Sequence, residues 1–87
     1  MKIFSLIIIT GKIYTGKTFI ARNLQKSIKN NYLIMEDNIS IPYLKSLIKK
    51  EKYTTYILDN CSEKIIKHLK PHALRVSKIN CEFMEEL

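Results

Sequence analysis

Apolar residues along this chain keep two alternating rhythms, and the alternation is the first guide to a fold. Ile3-Phe4-Ser5-Leu6-Ile7-Ile8-Ile9-Thr10 is a nearly continuous, β-branched run of strand length. It reads as a strand buried on both faces of a parallel sheet. Behind it, Phe19, Ile20, Leu24 and Ile28 recur at helical spacing while Arg22, Lys26 and Lys29 face elsewhere, and Asn30-Asn31 marks the stop. Tyr32-Leu33-Ile34-Met35 predicts a second strand, ended by the acidic pair Glu36-Asp37. Ser40 before Ile41-Pro42 predicts a helix start, because proline is tolerated in a first turn. That helix, through Lys52, buries Ile41, Leu44, Leu47 and Ile48.

A third strand, Tyr53-Thr54-Thr55-Tyr56-Ile57-Leu58, ends at Asp59. Asn60 as cap, with Glu63 three residues on, predicts a short helix carrying Ile65, Ile66 and Leu69 as far as Pro71. A fourth strand is expected around Leu74-Arg75-Val76-Ser77, and Glu82 to Leu87 reads as helical or frayed. Strands alternating with helices predict an α/β fold, a three-layer parallel sheet of about four strands with right-handed crossover helices. A length of 87 residues fits a single minimal domain over positions 1–87. In such a sheet a ligand sits at the carboxyl ends of the strands.

The glycines sharpen this picture. There are two, and both fall in Gly11-Lys12-Ile13-Tyr14-Thr15-Gly16-Lys17-Thr18. That stretch fits the pattern G-x-x-x-x-G-K-[ST], and it lies where the pattern carries meaning, after a strand and before a helix. Successive backbone N–H groups in such a loop form an anion-binding concavity, and the following helix adds the positive end of its dipole. The expected ligand is the polyphosphate of ATP or GTP, cradled by residues 11 to 18 with Phe19 following. Lys17 reaches the β- and γ-phosphates as a mobile charge, and the Thr18 hydroxyl is placed to ligate Mg²⁺.

Residues 3 to 60 together resemble the core of the P-loop NTPases, with Gly11 to Thr18 as the Walker A loop and Tyr56-Ile57-Leu58-Asp59 as a Walker B strand. The resemblance implies that Asp59 holds Mg²⁺ opposite Thr18, and that Lys17 and Asp59 form the catalytic pair. Thr15-Gly16-Lys17-Thr18-Phe19 is similar to the AAA+ and related motor ATPases, which implies an ATPase-like module acting with nucleic acid, as a homo-oligomer or beside a partner subunit. Two departures stand against a complete enzyme of that kind. Many such ATPases carry a glutamate directly after the Walker B aspartate to polarise water, and here that position is Asn60, which accepts no proton. The chain is also shorter than complete P-loop domains, with their fifth strand and further helices.

Two alternatives therefore stay open. One is a small kinase transferring the γ-phosphoryl group, favoured by Glu36-Asp37 as an acceptor contact and by Asn60. The other is a non-catalytic module that only holds phosphate. Strand order separates the first two readings. In ATPases with an added strand the fourth strand lies between the first and third, whereas in the kinase-like class the first and third pair directly.

Charge adds a partner class. Fifteen Lys and Arg against eight Asp and Glu give a net charge of +7, which favours polyanions. Lys45, Lys49 and Lys52 share one helix face and Lys64, Lys67 and Lys70 another, as solvated rows or as a track for a nucleic-acid backbone. Arg75 is the better of the two arginines for a phosphate clamp, ahead of Arg22. Ser77 and Asn80 are candidates for a polar sensor near the γ-phosphate, while His68 and His72 lack metal-type partners. Cys61 and Cys81 have no metal-ligand spacing and read as free thiols of a reducing compartment. The first apolar run is too short to span a bilayer and has no small-residue cleavage site, so a cytoplasmic protein is expected, in a host's cytoplasm if virus-encoded.

Overall fold

The computed structural model describes residues 4–11 and 17–81 of the chain. In chain order the elements are β1 (Phe4–Gly11), α1 (Lys17–Ser27), β2 (Asn31–Met35), α2 (Ile41–Lys50), β3 (Thr55–Asp59), α3 (Glu63–Leu69), one 3-10 turn (Lys70–His72) and β4 (Ala73–Cys81). All strand pairs are parallel, in the order β2-β3-β1-β4. The expected α/β sheet of four strands with crossover helices is therefore present. Expectations for Ile3 and for Glu82 to Leu87 concern positions outside the described residues.

Local sequence explains where the helices begin and end. The Ser40 hydroxyl accepts from the Tyr43 N–H at 3.3 Å, and Pro42 occupies the first turn of α2. The helix stops two residues before the expected Lys52, because Glu51 turns left-handed at φ 52° and its N–H closes on the Ile48 carbonyl. Asn30, between α1 and β2, is also left-handed at φ 55°. The Asn31 side chain then donates to the carbonyls of Ile28 and Gln25, satisfying groups that the helix end orphans.

The two sheet faces carry separate cores. On one, Phe4, Leu6, Ile8, Ile34, Tyr56 and Leu58 pack with Leu44 and Ile48 of α2 and with Ile65, Ile66 and Leu69 of α3. On the other, Ile9 and Ile57 pack with Ala21 of α1, flanked by Ile20, Leu24 and Ile28. Each such side chain contributes about 1.5–3 kcal/mol of burial, so the sheet is held mainly through β1 and β3. Phe19, expected in the apolar stripe of α1, is instead 72% exposed. The stripe is centred on Ala21 and Leu24, and Phe19 falls to its outer side.

Layer and order combine into one topology. The crossover from β1 to β2 runs over one face with α1, while those from β2 to β3 and from β3 to β4 run the opposite way over the other face. All three thereby share one hand, as parallel crossovers require. β4 is longer than the Leu74–Ser77 stretch expected, pairing with β1 from Phe4↔Ala73 to Gly11↔Cys81. It lies at the sheet edge with Leu74 67% and Val76 38% exposed.

Candidate functional site

The chains leaving β1 and β3 depart over opposite faces of the sheet, although the two strands are direct neighbours. The edge beyond their adjoining carboxyl ends is the crevice position at which parallel α/β sheets bind ligands. The pairing Ile9↔Asp59 puts Gly11 two residues beyond Asp59 on the same edge. Gly11 has φ 148°, a conformation that a Cβ atom disfavours. A glycine there accommodates this backbone at the last residue of β1, opposite Cys81.

The carbonyl side of β3 and the start of α1 meet there. Thr18, in the first turn of α1, donates its hydroxyl to Asp59 Oδ2 at 3.1 Å. Asp59 is 2% exposed, so it is a buried carboxylate and not a solvated strand end. Its surroundings are well tied down: the Glu36 N–H donates to the Asp59 carbonyl at 2.9 Å, and the Asn60 N–H donates to the Ile9 carbonyl at 3.1 Å. Burying a carboxylate without partners is costly. Here a hydroxyl from the neighbouring helix meets it at the mouth of the crevice.

Of the sequence-derived site, Gly11, Thr18 and Asp59 converge. Phe19 is at the same helix end but points outward, with its ring exposed. Lys12, Ile13, Tyr14, Thr15 and Gly16, and the side chain of Lys17, lie outside the described residues. Arg75 does not converge. It pairs with Ser5 near the amino end of β1, six positions from the Cys81 that pairs with Gly11. At strand rise that is about 20 Å from the crevice. Asn80 is on the correct edge, where the Thr10 hydroxyl donates to its Oδ1 at 3.4 Å, while Ser77 lies in mid-strand opposite Ile7.

The two members of the acidic pair after β2 are placed differently. Glu36 and Asp37 are both left-handed, at φ 50° and 58°, and the Asn38 N–H returns to the Met35 carbonyl at 2.9 Å, closing a tight turn. That turn presents Asp37 Oδ1 to the Ser62 N–H at 2.8 Å. Hydrogen bonds from Ser62 hold the Asp37 carboxyl below its ordinary value, against a smaller opposing effect of burial. Asp37 is thus engaged at the head of α3, and Glu36 is the exposed carboxylate left beside it.

The same contact corrects the helix start. Ser62, not Asn60, precedes the first residue of α3, and its side chain makes no capping bond. Asn60 is still attached to the sheet through Ile9 and is left-handed at φ 58°, a conformation asparagine tolerates. The carboxylate partner of the head of α3 comes from another strand end, which local spacing does not reveal. A legible hint was Asp37 itself, an Asp in a short polar turn.

Cys61 closes the underside. Its thiol lies near the Ile34 carbonyl at 3.3 Å, and burial pushes it up to about 11, so it is a neutral donor at physiological pH and not a nucleophile. Cys61 and Cys81 are both free, as their spacing implied. Among the described residues, no three His, Cys, Asp or Glu side chains form a group that could hold a metal ion, and no helix is long and apolar enough to cross a membrane. Comparison with protein-family models, curated proteins and solved structures yields no match for this chain.

Proposed function

We propose that the chain is a P-loop protein that binds a nucleoside triphosphate, ATP or GTP, with Mg²⁺, and that it transfers the γ-phosphoryl group to an acceptor. The observation that carries the reading is the 3.1 Å hydrogen bond from Thr18 to Asp59, which joins the last residue of the Gly11–Thr18 motif to the end of β3 inside the crevice. A hydroxyl and a carboxylate suit magnesium, a hard cation that takes few protein oxygens and fills its remaining positions with water and phosphate. When bound, the ion supplies charge neutralisation at the phosphates.

The protein's own groups divide the remaining work. The amides of the loop and the start of α1 receive the phosphates, and Lys17 meets the charge that moves onto the departing oxygen. The direct pairing of β1 with β3 supports the kinase-like layout over that of ATPases with an interposed strand. Asn60 in place of a glutamate points the same way, since water activation has no base at that position. Asp37 is committed to Ser62, so Glu36 is the carboxylate at this edge left to meet an acceptor hydroxyl.

Titration with ATP, with and without Mg²⁺, tests the binding claim. The wild type binds Mg·ATP, Lys17→Ala lowers affinity about tenfold or more through loss of a charge-assisted phosphate contact, and Thr18→Ala weakens Mg²⁺-dependent binding more than metal-free binding. Equal affinity of wild type and Lys17→Ala removes the reading. Isotopically labelled γ-phosphate offered with candidate hydroxyl acceptors tests transfer. Release of free phosphate stimulated by DNA or RNA, with no labelled acceptor, restores the motor alternative.

A further inference from the structure

At the opposite end of the sheet from Asp59, α2 and α3 leave a cleft of about 410 Å³, lined by Lys45, Ile48, Lys49, His68 and His72. α2 runs back from the carboxyl edge of β2 to the amino edge of β3, with Lys45 at its middle and Lys49 near its end. His72 is the last residue before β4, on the 3-10 turn that Pro71 helps to form. The cleft is therefore separate from the crevice occupied by Thr18 and Asp59.

Its composition is one-sided. Four of the five lining side chains are cations or potential cations, and none is a carboxylate. Lys45 and Lys49 lie one helical turn apart on the same face, bracketing Ile48, which is nearly buried. A lysine in the last turn of α2, such as Lys49, complements the helix dipole. Lys45, a turn earlier, gains little from that effect, and it faces two half-buried imidazoles across the cleft. No carboxylate lines the cleft to compete for the two lysines, so an anion there meets their ammonium groups directly. The floor is apolar, and imidazole rings offer flat surfaces on which a base stacks. The volume lies within the range of small-ligand sites and exceeds the needs of a bare phosphate.

We propose that this cleft binds a nucleotide unit, with the phosphate between Lys45 and Lys49 and the base or sugar against Ile48, His68 and His72. The unit can come from a free mononucleotide or from a single strand of nucleic acid, and the two sources share the chemistry that the cleft recognises. This site does not depend on the reading of the crevice, because none of its residues contributes to that one.

Side-chain resonances of His68 and His72 in the full chain report on the cleft, and the Thr18 amide reports on the crevice. Titrations use adenosine monophosphate and, separately, a short single-stranded oligothymidylate, both in metal-free buffer. The expected result is saturable shifts of both imidazoles, with affinity lowered about tenfold or more in the Lys45→Ala/Lys49→Ala double variant. Both lysines are exposed on a helix and alanine is the best helix former, so the variant keeps its fold, which circular dichroism checks. A response to both probes, or to the oligonucleotide with its steep salt dependence, supports the site and names the source. No imidazole shift with either probe, shifts that persist unchanged in the double variant, or shifts confined to Thr18 each overturn it.

Discussion

Thr18 and Asp59 are 41 positions apart in the chain, yet each sits where one side chain completes the other. Thr18 needs only to begin a helix behind a glycine turn, and Asp59 only to end a buried strand. Their meeting follows from β3 being the neighbour of β1. Other residues carry less obvious burdens. Tyr56 is packed edge-on against Phe4, with ring centroids 4.7 Å apart, and its buried hydroxyl has no hydrogen-bond partner. Such an orphaned group costs stability without return. Tyr56→Phe keeps the ring and removes the hydroxyl, so we expect denaturant unfolding to give equal stability or a gain of up to about 1 kcal/mol.

Element by element, the hydrophobic rhythm carried most of the fold. Among the described residues, every strand and helix read from it exists, because the run lengths and helical spacings report burial directly. Its failures are those where a partner outside the local window decides. Phe19 looks apolar enough for the core, but Ala21 is the α1 residue buried against Ile9 and Ile57. β4 extends to Cys81 although most of its residues are exposed, since its register with β1, not its own pattern, maintains it. The candidate site was legible as a motif, while the tie of Asp37 to the Ser62 amide was not. At this scale the test is Asp37→Ala, which frees the Ser62 amide and costs about 1 kcal/mol, the usual value of a lost helix-terminal partner.

The Asp37 carboxyl is lowered in the folded state from an ordinary 3.8, so its stabilising effect is complete above that pH and is lost as pH falls through the folded value. Thermal melts of the wild type below pH 4 should therefore lose a contribution that the variant lacks at every pH.

For the whole molecule, the titration of buried neutral groups sets an alkaline limit. Burial, with smaller repulsion from Tyr53 and Tyr32, pushes Tyr56 up to about 12 from 10.0, and burial raises Cys61 to about 11 from 9.0. Both groups favour the protonated form when folded. The stability these two groups contribute is thus intact below pH 9 and declines as pH climbs through about 11 and 12. Melting temperature followed across that window should fall, and the fall should be shallower in Tyr56→Phe.

β4 leans on a single neighbour and has little cover above or below. A strand fastened along one seam can peel away and reseal without disturbing what the other seams hold, and Thr18 and Asp59 belong to those others. The exposed margin that β4 forms is therefore a flank the proposed chemistry does not need.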